Sequence, residues 1–435
     1  MKRDKKRCLV CFIGILAISM IFLGARSCDP CKYIQIVELP EFLFGTSQGG
    51  PEVVPLAAEL GARWIRGKVS WDDVEPEILI QTLTVADVKA NPAMIIYYIN
   101  THDWSYSDTW LAEMKNNGME PLMIIGHGYS TTLPYFNGQR ITPDILGREN
   151  YLGHIYLFTR AAVERYNGDG EYDAPGGLVV KYWQLENELN QAFFTALWGW
   201  RTPSFMDALG SAWQDWNFVT ELLATLYEAV KIEDPLALTT VNFHTDVPAE
   251  INQSFLLPSW QDSIRLWLPW VDFIGIDAYP NYYIPEPVNG EILAQRIAEA
   301  YERGCGKPVV VIETGYPSGP PERGYNETLQ AQYIQEAFDA AVSAGALGFF
   351  LFGVKTGETH GIIITPEDIA NLEYLADLYN QGLPIPLIAW ALLNQDYIQN
   401  HFIDVMQSVE SYWGLVRIDG SHKPGWHVFQ SLTIP

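Results

Sequence analysis

Basic side chains are scarce in this chain: 27 Lys and Arg stand against 52 Asp and Glu among 435 residues, a formal net charge of −25. A polyanion would be repelled, which excludes nucleic acid as the main partner. Cysteine is rarer still, with five residues, too few for a disulfide-stapled scaffold of this length. No GxGxxG or phosphate loop follows an early strand, removing the usual signs of a nucleotide site. No HxH or HExxH spacing marks a metal centre, and we expect neither metal nor cofactor. No Gly/Ser/Pro-rich linker or 20–50-residue repeat divides the chain.

Apolar material is plentiful: 48% of residues are hydrophobic and 15 are Trp, enough for a large core. At about 150 residues per domain, the length suits two or three domains or one large α/β barrel. Residues 1–7 hold five bases, and an apolar run follows from Cys8 to Ala25. This pattern reads as a cleaved export signal, an uncleaved anchor, or a lipoprotein signal ending at Cys28. Arg26 fits the lipoprotein option poorly. Each reading puts the remainder outside the cytoplasm, secreted or tethered to the outer face of the membrane. Cys28 and Cys31 have CxxC spacing without a second pair, which favours a local disulfide or one lipidated cysteine over zinc. Cys305 reads as a small buried residue.

From residue 41 onward, β-rich runs alternate with helical patterns, which argues for parallel strands joined by helical crossovers. The runs are Phe42–Ser47, Ala62–Lys68, Glu120–Gly126, Leu178–Leu185, Ala237–Phe243, Val271–Asp277, Pro308–Glu313 and Leu347–Phe352. Several are apolar throughout, as expected of strands covered on both faces. Helical periodicity covers Glu149–Tyr166, Trp213–Lys231, Ile292–Arg303 and Leu329–Ala344. Eight strands predict a (β/α)8 TIM barrel, with an open doubly wound sheet as competitor. We expect residues 1–27 to be signal or anchor, 28–40 linker, and 41–435 one barrel with 361–407 inserted after strand eight. A second insertion, Glu77–Thr101, precedes the second helix. The insertion after strand eight carries helical patterns at Pro366–Tyr379 and Pro386–Asp404.

Catalytic groups of such barrels sit where strands end at the C-terminal face. Strand four runs into Glu186-Asn187-Glu188 and strand seven into Glu313, a carboxylate straight after Val-Val-Val-Ile. A charge there must be compensated or face a cleft. Two carboxylates about 5–5.5 Å apart permit double displacement at an acetal, one ionised to attack and one protonated to release the alcohol. By strand alternation, Glu186 and Glu188 would both point inward.

The chain resembles glycoside hydrolase clan A, whose retaining (β/α)8 enzymes carry Asn-Glu at the end of strand four and Glu at the end of strand seven. The matching residues are Asn187-Glu188 and Glu313. Further matches are Trp64-Ile65-Arg66, DPLALTTVNF, DFIGIDAYP and the closing YWGLVRIDGSHKPGWHVF, so the likeness covers Phe42–Phe352 and Tyr412–Phe429. The run Glu313–Ser318 is also locally similar to plant-type endo-β-1,3-glucanases. The resemblance implies that Glu188 is the acid/base, Glu313 the nucleophile and Asn187 the holder of the neighbouring sugar hydroxyl. It also implies that Arg66 pairs with Glu313 and that Tyr279 donates to it. His127 and His244, after strands three and five, are candidates for sugar hydroxyls or structural roles. Trp198 and Trp200, with Phe193 and Phe194, form either a stacking platform or a self-packed loop. Clan members place a Trp at the end of strand eight. Here that strand reads Gly348-Phe349-Phe350-Leu351-Phe352, and Phe352 or a residue of the following insertion is the substitute. We therefore expect a monomeric, exported retaining glycosidase acting on an oligo- or polysaccharide with β-links. The competitors are a transglycosylase and a non-catalytic glycan-binding envelope protein on a decayed barrel.

Overall fold

The computed structural model describes residues 31, 34–47, 49–126, 133–197, 199, 201–202, 205–357 and 361–435. The chain separates into a short N-terminal unit, Met1–Gln35, and a large one, Ile36–Pro435. Parallel strands of the large unit are β1 (Leu43–Ser47), β2 (Trp64–Lys68), β3 (Glu120–Ile125), β4 (Tyr182–Leu185), β5 (Leu238–Thr240, resuming as Asn242–His244), β6 (Ile274–Ala278), β7 (Val309–Thr314) and β8 (Gly348–Phe352). The sheet begins with the first half of β5 and ends with its second half. Passing from one to the other it runs through β4, β3, β2, β1, β8, β7 and β6. One strand therefore supplies both ends of the sheet, and the barrel is closed.

Crossovers carry α1 (Val54–Glu59), α2 (Ser105–Asn116), α3 (Arg148–Tyr166), α4 (Trp216–Glu233), α5 (Trp260–Trp267), α6 (Ile292–Arg303) and α7 (Glu327–Ser343). After β8 come α8 (Pro366–Asn380), α9 (Pro384–Leu393) and α10 (Pro424–Ser431). The barrel interior is filled by Leu43, Trp64, Leu122, Phe273, Val310, Ile312 and Phe350. Gly45 makes that filling possible, because a Cβ there would stand 2.7 Å from the Phe350 ring.

Three local expectations need correction. β4 is four residues long, and Glu186 and Glu188 lie beyond it, both with left-handed backbone (φ 61° and 45°), so strand alternation does not govern them. The helix expected over 386–404 is interrupted rather than continuous: α9 ends at Leu393, the Asn394 side chain donates to the Trp390 carbonyl, and helical turns, with a π segment at Ile398–Phe402, continue to Gln407. Cys305 is half-buried, left-handed (φ 56°) and disulfide-bonded rather than a buried thiol, and Cys31 is also disulfide-bonded.

The insertion is a folded element. Thr365 caps α8 reciprocally with Asp368, and Pro366 occupies the first helical turn. Leu372, Phe402, Val405 and Met406 form its own apolar cluster, against which Tyr283 of the β6–α6 loop packs. That contact holds the insertion beside the C-terminal ends of the strands.

Candidate active site

Register places the chemistry on one rim. His244 of β5 is paired with Asp277 of β6, and Asp277 with Glu313 of β7, just past a register irregularity after Val311. Arg66, on β2, reaches across this rim. Its Nη1 donates to Glu313, its Nη2 to Asn187 Oδ1 at 2.7 Å, and its Nε to Gln184 Oε1 at 2.6 Å. Tyr279 donates its hydroxyl to the other Glu313 oxygen at 2.5 Å. Glu313 thus receives an ion pair on one oxygen and a phenol on the other.

Glu188 is held differently. Its backbone N–H donates to Asn242 Oδ1 at 2.8 Å, and its Oε1 lies 2.9 Å from His244 Nδ1. Asn242 Oδ1 also accepts from Gln184 at 2.7 Å, while its Nδ2 donates to Asn187 (2.9 Å) and Asp277 (2.6 Å). Gln184, Asn187 and Asn242 consequently join Arg66 and Glu313 on one side to Glu188 and His244 on the other. A network connected in this way fixes its members more firmly than isolated pairs would.

The electrostatics follow from this arrangement. Burial would lower His244, but its contact with Glu188, with Asp246 and Asp277 nearby, lifts it to about 9. Burial opposes the charge on Glu188, but His244, Arg66 and Arg201 outweigh burial and bring its carboxyl below the usual range. Burial pushes Glu313 up; Arg66 and Tyr279 counter this, and the Glu188 charge adds to it. Burial and the Glu313 charge hold Asp277 well above the ordinary carboxylate range.

Glu186 is fully buried, and its carboxylate faces away from solvent behind the network. It pairs with Arg201 at 3.3 Å, and Arg201 also donates to the Asn187 carbonyl and to Thr195. By contrast, the Glu188 and Glu313 side chains retain 12% and 11% of their surface, enough to meet a ligand. Phe193 is buried in a cluster with Phe194 and Phe255, at ring distances of 5.3–5.6 Å, which makes it packing rather than platform. His127, Trp198 and Trp200 lie outside the described residues.

Sequence reasoning did not find Gln184, Asn242, Asp277, Arg201 or the contribution from beyond the insertion. Asp277 had a signal, a carboxylate inside the apolar run DFIGID. Trp413 packs against Tyr279 (5.1 Å between rings) and Phe352 (5.9 Å), beside the end of β8. Its indole donates to Glu410.

The closed parallel barrel is similar to the barrels of solved glycosidase structures. A glucosidase from Croceicoccus marinus matches with a TM-score of 0.52 at 13% identity, over 91% of this chain and 68% of that one. A hyperthermophilic β-glucosidase mutant matches with 0.58 at 12%, over 91% and 100%. An exo-β-1,4-mannosidase from Opitutaceae bacterium strain TAV5 matches with 0.50 at 14%, over 91% of this chain and 60% of that enzyme. These likenesses establish the fold. No protein-family model and no curated protein sequence matches the chain.

Proposed function

We propose that this protein is an exported retaining glycoside hydrolase that cleaves a β-linked glycan by double displacement. Glu188 is its acid/base and Glu313 its nucleophile. The observation that carries this reading is the unequal holding of two carboxylates within one network: Glu313 by Arg66 and Tyr279, Glu188 by His244. The barrel shared with proteins named glucosidase and mannosidase supports it.

The His244–Glu188 pair carries one proton. While that proton is on the imidazole, Glu188 is anionic and its charge opposes ionisation of Glu313. Moving it onto Glu188 removes that repulsion, so Glu313 releases its own proton to solvent and ionises as Glu188 becomes an acid. Glu313 then attacks the anomeric carbon, and Glu188 protonates the departing oxygen. Esterification neutralises Glu313, Glu188 is left as the base, and it deprotonates the water that cleaves the ester. Asn187, its amide oxygen fixed by Arg66 and Asn242, donates to the sugar hydroxyl beside the reacting carbon.

Export rests on the charged start and the apolar run Cys8–Ala25, which lies outside the described residues. Among the described residues no helix is long and apolar enough to cross a membrane. The test is mass spectrometry of the purified protein after reaction with an activated 2-fluoro-β-glycoside. We expect the label on Glu313, azide rescue of Glu313→Ala with inverted product, and a retained glycosyl azide from Glu188→Ala. A label on another residue overturns the assignment. Glycan binding without turnover of any aryl β-glycoside would make the protein a binding module.

A further inference from the structure

Beyond the insertion the chain returns to the rim as a single turn, Glu410–Tyr412, followed by Trp413. Glu410 accepts from the Tyr282 hydroxyl (2.8 Å) on one oxygen and from the Trp413 indole (3.0 Å) on the other. The Trp413 ring leans on Tyr279, whose hydroxyl bonds Glu313, so Glu410 lies two side chains from the nucleophile. Burial pushes Glu410 upward, and Glu313 and Glu188 are close enough for their charges to add to it. A carboxylate offers about four acceptor sites, and one donor on each oxygen leaves further sites for a ligand. Glu410 is only partly covered, whereas Trp413 is buried.

We propose that Glu410 is a specificity-determining residue. It accepts hydroxyl hydrogen bonds from the sugar unit whose anomeric carbon Glu313 attacks, and it restricts that unit to a neutral sugar by repelling uronic acids. This deepens the glycosidase reading and rests on it for the identity of the sugar unit. Among the described residues the cations nearest the pair, Arg66, His244 and Arg201, are each engaged by a carboxylate, so none of them is left to offer a uronate facing Glu410 a counter-charge of its own. Hydroxyl donors, in contrast, match an acceptor-only group already held in place by Tyr282 and Trp413.

The experiment compares the wild-type protein with Glu410→Gln and Glu410→Asp, folding being checked by circular dichroism. Binding of the 1,5-lactams of glucose, mannose, galactose and glucuronic acid is measured by calorimetry, and turnover on the corresponding aryl β-glycosides is followed in parallel. We expect the wild type to bind at least one neutral lactam and to reject the glucuronic one. Glu410→Gln should weaken the neutral lactam at least ten-fold and narrow the gap to the glucuronic one, with Glu410→Asp between. Unchanged neutral binding in Glu410→Gln, preference for the glucuronic lactam, or no lactam binding by the wild type overturns the proposal. Lactam binding without turnover would sink the glycosidase reading while supporting this subsite, whereas turnover indifferent to Glu410 would do the reverse.

Discussion

His244 and Glu188 face each other at 2.9 Å in a buried setting, and their shared proton makes a prediction about pH. His244 is lifted to about 9, so the pair keeps its proton below that pH and loses it as pH rises through it. Glu313 is raised as well, so protonation removes the proposed nucleophile as pH falls toward a value above the ordinary carboxylate range. The profile of kcat/KM should therefore be a bell, with its alkaline limb near 9. In His244→Asn the imidazolium is gone, and Glu188 loses the largest of the contacts that offset its burial, so its carboxyl rises but holds its proton far less firmly than the imidazolium pair does. The alkaline limb should then move down by more than one pH unit, while the acid limb stays within a few tenths. Rate measurements on an aryl β-glycoside across pH 4–10 check this, and an unmoved alkaline limb would remove His244 from the proton inventory.

At the level of elements, Arg323 ties together three loops that reach the rim. Its Nη1 donates to the carbonyls of Val405 and Met406 and to Ser408, and its Nη2 donates to the carbonyls of Tyr282 and Tyr283. Hydrogen bonds from a charged donor contribute about 1.5–3 kcal/mol each, and carbonyls left buried without a partner add a penalty. Arg323→Met should cost about 3 kcal/mol or more. It should also raise KM more than it lowers kcat, because Tyr282 and the turn bearing Glu410 would lose their anchor. Thermal melting and steady-state kinetics check both parts. None of this clamp was readable beforehand, because an arginine that bonds main-chain carbonyls carries no pattern of its own. The strands were readable, since runs such as Val309–Thr314 are apolar on both faces and end at glycine. The break of β5 at Val241 and the left-handed turn Glu186–Glu188 were not, because both depend on side chains from neighbouring strands. Arg66, Glu188, Glu313, Tyr279 and His244 were visible as rim residues, whereas Gln184 and Asn242 look like ordinary polar positions until the barrel brings them together.

For the molecule as a whole, the decisive feature is that a barrel must close, and here the last helix of the chain guards the seam. β1 lies between β8 and β2, so the first strand meets the last. α10 covers that junction: Phe429 is fully buried and stacks on Phe44 of β1 at 4.5 Å, and Gln430 donates to the Glu59 carbonyl at the end of α1. Lys423, just before α10, donates to Ser318 and to the Gly414 carbonyl, which links the same helix to the segment bearing Trp413. If closure is shared by the whole barrel, loosening this one contact should weaken every strand at once, because no edge exists at which opening could stop. Removal of a buried Phe ring typically costs about 3–5 kcal/mol. Phe429→Ala should therefore shift one cooperative transition, with tryptophan fluorescence and far-ultraviolet circular dichroism giving the same midpoint. Two separated transitions, with fluorescence changing well before the helical signal, would mean that α10 is a peripheral brace and that β1 to β8 hold the cylinder shut without it.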